Sequence, residues 1–209
     1  MPTYVSRTTT SGMSGNPCWY STQNRYYPTY GLPNCTCYAY GRWIELLGYT
    51  PSGLPGGDAG TWWNSTSYTK GAASTPKLGA ILCMSGGPPG TSGRGHVAVV
   101  EQIYSDGSVL FSNSGYYRGD DPQKWNDLYF YLRCAHPSDN YQTGRHGYSG
   151  YGGYNIQGFI INPINYDPNI SPDPTPGPGP GPEPGKYPTR LILYKRAWMR
   201  SRGDLNDYV

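Results

Sequence analysis

No run of about 18 apolar residues occurs anywhere in the 209-residue chain, so it offers no segment able to cross a membrane as a helix. Residues Met1 to Ser14 are polar and hold no apolar core, so a secretion signal is not expected there. Charged residues make up only 14%, and they are unevenly placed. Lys186, Arg190, Lys195, Arg196, Arg200 and Arg202 face only Asp204 and Asp207 in residues 186–209, a net of +4 that leaves the preceding 185 residues at −1. No nucleic-acid partner is expected of so neutral a body. Cysteine is sparse and odd in number, 5 residues without paired metal-ligand spacing. Cys35 and Cys37 stand two apart on one element and make a poor disulfide, while Cys83 and Cys134 fall in apolar stretches and read as core. A disulfide framework is not expected. His136, Asp139 and His146 lack zinc-site spacing on rigid elements, and Asp120-Asp121 sits in no EF-hand-like loop. No metal or other cofactor is expected.

What the chain has in quantity is glycine, proline and tyrosine, 30, 21 and 22 residues against 3 phenylalanines. That balance describes long aromatic loops over a small core, a surface suited to glycans or peptides. Residues 167–185 alternate proline and glycine through Thr175 to Pro182 and cannot form a core. They read as a linker. Residues 186–209 are too few to fold alone and carry Leu193, Tyr194 and Trp198 among their cations, which suits a basic docking tail. The remaining 1–166 is long enough for one self-sufficient domain. It begins with an extended, turn-rich entry over 1–33, where Asn16-Pro17 and Tyr27-Pro28 read as breakers.

The chain is organised around Gly31 to Trp43. Asn34 is a competent helix N-cap; Ala39, Trp43, Leu46 and Leu47 recur at helical spacing, and Gly48 ends the run. Cys35 falls in the first turn, where backbone N–H groups and the helix dipole favour a thiolate. The same amides can hold an oxyanion. Downstream, Gly95-His96-Val97-Ala98-Val99-Val100-Glu101, the Asp106-Gly107-Ser108 turn and Phe111-Ser112-Asn113-Ser114 read as a hairpin. Its geometry sets His96 beside Asn113. Strands are expected at 79–84, 96–104, 108–112, 127–134 and 156–161, and a short helix at Asp58 to Trp63 capped by Asp58. Of the adjacent Trp62 and Trp63, one is expected in the core and one on a cleft wall. The Tyr/Gly stretch 138–155 reads equally as a cleft border or as a connector. Helices first and a sheet afterwards predicts an α+β domain.

These residues resemble the CHAP family of cysteine amidohydrolases and peptidases, most closely its versions in bacteriophages of Gram-positive hosts. The resemblance lies in Asn34-Cys35-Thr36-Cys37-Tyr38-Ala39, Pro76 to Ile81, Gly95 to Glu101, Ser112-Asn113-Ser114 and Gln157 to Pro163. Many relatives have Trp where this chain has Cys37, and a Glu near Asn113. The resemblance implies a papain-like (NlpC/P60-type) α+β fold, with short N-terminal helices packed on an antiparallel β-sheet. It also implies a peptidoglycan hydrolase, an N-acetylmuramoyl-L-alanine amidase or a crossbridge endopeptidase, with Cys35 as nucleophile, His96 as base and Asn113 as orienter. Peptidoglycan is the expected partner. The expected setting is a phage lysin acting on the bacterial cell wall, either released at host lysis or held in the virion tail through 186–209. The alternative is a non-catalytic phage structural or wall-binding protein that keeps the fold.

Overall fold

Asn16 and Asn34 each start a helix in the same way, by a side-chain oxygen that accepts from a backbone N–H two or three residues on. The first helix, α1 (Pro17–Tyr20), is one turn long, with Pro17 at the position where a missing N–H costs nothing. The second, α2 (Cys35–Leu47), ends at Gly48 in the left-handed conformation, φ 74°, with its N–H closing on the Ile44 carbonyl. Ten of the thirteen residues of α2 are buried, so it has no solvent face. A helix buried on all sides is a core element. Gly41 makes this possible: a Cβ there would sit 2.4 Å from the Trp19 ring, and its absence lets α1 press against α2.

The computed structural model describes residues 2–27 and 29–166; the expected linker 167–185 and docking tail 186–209 lie outside the described residues. Beyond α2 come a 3-10 turn at Ala59–Thr61, α3 (Trp62–Ser65) and the strands β1 (Lys70–Gly71), β2 (Ile81–Gly86), β3 (His96–Ile103) and β4 (Val109–Asn113). The helix α4 (Pro122–Tyr129) and the strands β5 (Tyr131–Ala135) and β6 (Tyr154–Ile160) complete the order. The six strands form one antiparallel sheet in the order β1-β6-β2-β3-β4-β5. The fold is α+β, with α2 packed on the sheet.

Every residue of β3 from His96 to Gln102 is buried, because both faces of the sheet are covered. Ile81, Cys83, Val97, Val99 and Ile160 pack with α2 and the tryptophans. Leu82, Met84, Ala98, Val100 and Phe159 pack under Tyr4, Tyr141 and Tyr151. The Tyr/Gly stretch is thus the lid of the second face. Tyr141 and Tyr151 are fully buried, each meeting Phe111 edge to face.

The structure corrects four readings. Residues 122–129 are helix α4, and the expected strand 127–134 shrinks to Tyr131–Ala135. The apolar run Leu128 to Leu132 looks continuous, but Asp121 caps a helix whose first residue is Pro122. Asn16-Pro17 is no breaker; it opens α1 by the same logic. Asp58 does not cap the turn that follows it; its carboxylate instead takes Arg94 Nη1 at 2.9 and 3.1 Å. Finally, Trp62 is buried and donates to the Tyr26 hydroxyl at 3.1 Å, but Trp63 packs with Lys70 and Gly158, away from the cleft described below.

Candidate active site

Cys35 is held in place from both ends of the chain segment before it. The Asn34 side chain accepts from the Cys37 N–H at 2.9 Å and the Thr36 hydroxyl at 2.6 Å, and the Asn34 backbone N–H donates to Ser114 Oγ at 3.0 Å. Ser114 directly follows Asn113, so the N-terminus of α2 is tied to the end of β4. Cys35 lines a cleft of about 400 Å3 whose other walls include Tyr26, Tyr30, Tyr116, Asp58 and Arg94. Tyr30 and Tyr116 expose their rings there.

His96 opens β3, and a single glycine sets its approach. Gly95 has φ 79°, and a Cβ on it would lie 2.3 Å from the Met84 carbonyl and 2.6 Å from Gly60, so no other residue fits. The Gly60 N–H donates to the Arg94 carbonyl at 2.9 Å and the Gly95 N–H to Gly86 at 3.0 Å, clamping both sides of the turn. His96 and Asn113 are buried and do not line the cleft themselves. His96 Nε2 lies 3.0 Å from Asn113 Oδ1. Asn113 cannot flip, because its Nδ2 donates to the Phe111 carbonyl at 3.2 Å while Oδ1 also accepts the Tyr151 hydroxyl at 2.9 Å. Oδ1 is therefore an acceptor only, which makes Nε2 the protonated nitrogen and leaves the Nδ1 lone pair free.

The residues packed around the imidazole carry no motif and come from outside the hairpin. Tyr131 stacks on it at 6.4 Å and 11°, Tyr154 tilts over it at 5.7 Å, and Tyr151 lies at 6.2 Å. The Tyr131 hydroxyl also reaches Nε2 at 3.4 Å. Arg133 stands behind, its guanidinium 5.6 Å from the Tyr131 ring and 5.2 Å from that of Tyr151. What brings Tyr131 here is its pairing with Asn113 across β4 and β5, a register that no local pattern in the sequence announces.

The electrostatics of the pair differ from the expected thiolate. Burial pushes the Cys35 thiol up to about 11, with the Asp58 charge adding to it; the backbone N–H groups of Val97, Thr36 and Cys35 pull the other way but do not win. Burial also holds His96 down at about 4, helped by the Arg133 charge and opposed by the Asn113 hydrogen bond. The first-turn amides do favour the thiolate, but the desolvation that accompanies them is larger. Both shifts favour the neutral thiol and imidazole over a thiolate–imidazolium pair. The hydrogen bond from the Val97 backbone nevertheless sets the Cys35 sulfur against the residue directly after His96.

Glu101, five residues along β3, serves structure. It is fully buried and takes Arg42 at 3.1 and 2.9 Å, the Tyr4 hydroxyl at 2.8 Å, the Ser112 hydroxyl at 2.6 Å and the Arg7 N–H at 2.7 Å. Cys18, Cys35, Cys37, Cys83 and Cys134 are all free thiols, with Cys83 and Cys134 in the core. His146 faces Asp106 at 3.1 Å, and His136 accepts from the Ser138 N–H, capping the short turn Pro137–Asp139. Among the described residues no three His, Cys, Asp or Glu side chains converge as metal ligands, and no helix is long and apolar enough to cross a membrane.

Cys35 thus stands at a helix N-terminus, and His96, whose strand begins one residue before Val97, has its Nε2 held by the Asn113 amide. Residues 22–115, which include all three groups, match the family model for the CHAP domain. The chain is 32% identical over 120 residues to the probable autolysin SsaALP of Staphylococcus aureus, covering 54% of this chain and 38% of that protein. It is 40% identical over 82 residues to an N-acetylmuramoyl-L-alanine amidase domain-containing protein of the same species, covering 38% of this chain and 13% of that one. A solved structure of an N-acetylmuramoyl-L-alanine amidase from Staphylococcus aureus aligns at 27% identity over 52% of this chain and 28% of that one, with a TM-score of 0.39. The chain thus spans well under half the length of the relatives it matches.

Proposed function

We propose that this protein hydrolyses an amide bond of bacterial peptidoglycan through Cys35, His96 and Asn113. What supports the reading is a cysteine at a helix N-terminus lining a cleft, together with the buried His96–Asn113 pair. Cys35 opens into the cleft at the N-terminus of α2 and sits against the backbone of Val97. His96 presents a free Nδ1 because Asn113 holds Nε2 at 3.0 Å. The CHAP match and the two staphylococcal relatives support the substrate class.

Because the resting pair is neutral, the first step moves a proton and forms a bond together. Cys35 Sγ attacks the amide carbonyl carbon while its proton passes to His96 Nδ1. The carbonyl oxygen becomes an oxyanion at the first-turn amides of α2, with the Cys35 N–H as one donor. The imidazolium then returns its proton to the amide nitrogen, the C–N bond breaks, and the amine leaves a thioester on Cys35. His96 next takes a proton from water as the water attacks the thioester, and the collapse of that intermediate releases a carboxylic acid and restores the thiol. Asn113 holds the ring in one tautomer throughout and accepts from the imidazolium when it forms. The exposed rings of Tyr30 and Tyr116 suit sugar faces or peptide along the cleft.

Amidase and endopeptidase cleavage use the same machinery, so the bond is read from the products: mass spectrometry of fragments released from purified Staphylococcus aureus peptidoglycan distinguishes a stem peptide with a free L-alanine amino terminus from a cut crossbridge. Release of neither by the folded protein would overturn the proposal. We further propose, from the sequence resemblance and the composition of 186–209, that the protein serves a phage of a Gram-positive host, either released at lysis or docked on the virion through that basic segment. Deletion of 186–209 then removes the protein from purified particles without reducing cleavage.

A further inference from the structure

We propose that Tyr151 is a positioning residue of this centre, the group that keeps Asn113 aimed at His96. This role rests on the proposed roles of Cys35, His96 and Asn113 and adds a fourth member supplied by the Tyr/Gly stretch.

An asparagine can hold an imidazole in one tautomer only if its amide cannot turn over. Turned, Asn113 would offer N–H groups to Nε2, drive the proton onto Nδ1 and abolish the base that Cys35 needs. Two contacts oppose the turn. One is the Nδ2 donation to the Phe111 carbonyl at 3.2 Å, which is long. The other is the Tyr151 hydroxyl, 2.9 Å from Oδ1. A flipped amide would set Oδ1 against the Phe111 carbonyl, acceptor on acceptor, and would take away the acceptor to which the Tyr151 O–H donates.

The hydroxyl is itself placed with little freedom. Tyr151 is fully buried, its ring locked edge to face on Phe111 at 5.4 Å and 82°. Its N–H donates to the Tyr141 carbonyl at 2.8 Å. Arg133 lies 5.2 Å from the ring and donates to the carbonyl of Gly150, the residue before Tyr151. The segment that carries Tyr151 has no regular secondary structure over 140–153, yet it ends with a buried hydroxyl on the one atom that sets the state of His96. A buried hydroxyl placed for packing alone would need only some partner; this one shares its acceptor atom with the imidazole. Its O–H can donate to Oδ1 in every step, so it also keeps Oδ1 from swinging out of reach when the imidazolium forms.

The test is Tyr151→Phe in the full chain, which keeps the ring and its packing and deletes only the oxygen. Two readouts are taken. In cleavage of purified Staphylococcus aureus peptidoglycan, kcat falls about three- to tenfold while KM stays within about twofold, the loss of one hydrogen bond acting through another residue. In 15N NMR of histidine-labelled protein, the wild-type His96 shows the Nε2–H tautomer, and the variant shows a mixture with Nδ1–H. Wild-type kcat together with an unchanged tautomer overturns the inference, as does a fall in kcat matched by a fall in the folded fraction with the tautomer unchanged. The tautomer readout needs no turnover. If Cys35→Ala or His96→Ala retains full cleavage, the proposed reaction fails while the NMR still decides whether Tyr151 positions Asn113.

Discussion

Acid should loosen this fold measurably through one side chain. His96 is only 5% exposed, and burial holds its imidazole at about 4 against an ordinary value of 6.5. The unfolded chain takes up that proton near 6.5 and the folded chain only near 4. Between those values the unfolded state binds more protons, so stability falls as pH falls. The contribution is fully present above about pH 6.5 and spent near pH 4. A gap of two and a half units makes it about 3 kcal/mol at pH 4, with about 2 kcal/mol already lost by pH 5. Carboxylates titrate in the same range, so the informative quantity is a difference. Denaturant unfolding of the wild type and of His96→Gln at pH 7, 5 and 4 supplies it. The stability of the wild type relative to the variant should drop by about 2 kcal/mol from pH 7 to 5 and by about 3 by pH 4. A difference that is constant with pH, or that grows in acid, would refute the reasoning that the imidazole is buried neutral.

Three further outcomes follow from the same geometry. Asp58→Asn removes a charge that raises the Cys35 thiol, so iodoacetamide should alkylate Cys35 about twofold faster at pH 8 and low salt, the gain fading as salt screens it; no change or a slower rate would remove Asp58 from the site's electrostatics. Arg42→Met leaves the Glu101 carboxylate buried without its guanidinium partner, and chemical unfolding should show a loss of about 3–5 kcal/mol, whereas a loss under about 1 kcal/mol would mean that the Tyr4, Ser112 and Arg7 contacts suffice. Gly95→Ala pushes a Cβ into the Met84 carbonyl and Gly60, and cleavage should fall at least tenfold, in order of magnitude, with wild-type activity showing instead that the turn before His96 can shift freely.

The elements legible in the sequence are those with local signals. Asn34 and Gly48 bracket α2 by capping chemistry, and Asp106-Gly107-Ser108 closes the β3–β4 hairpin, where the Ser108 N–H donates to Asp106 Oδ1 at 2.8 Å. That hairpin is why residue order alone sets His96 and Asn113 side by side. Helix α4 is hidden because Leu128, Tyr129 and Phe130 continue an apolar run into β5, which masks the start signal at Asp121-Pro122. Tyr131, Arg133 and Tyr151 answer to no period or motif. They reach the imidazole through strand register and through a loop that folds back over the sheet, contacts that exist only between distant parts of the chain. The state of the Cys35 thiol is illegible for a related reason: the dipole of α2 is a local property, but the burial that outweighs it comes from the sheet and the cleft walls.

The measurement closest to the central claim is intact-protein mass spectrometry of reactions quenched during cleavage of purified peptidoglycan, run on the wild type and on Cys35→Ala. The account predicts an acyl adduct on the wild type that maps to Cys35 and disappears with time, with neither adduct nor released fragments from a folded Cys35→Ala protein. Sustained cleavage by Cys35→Ala, or an adduct that maps to Cys18 or another residue, would contradict it.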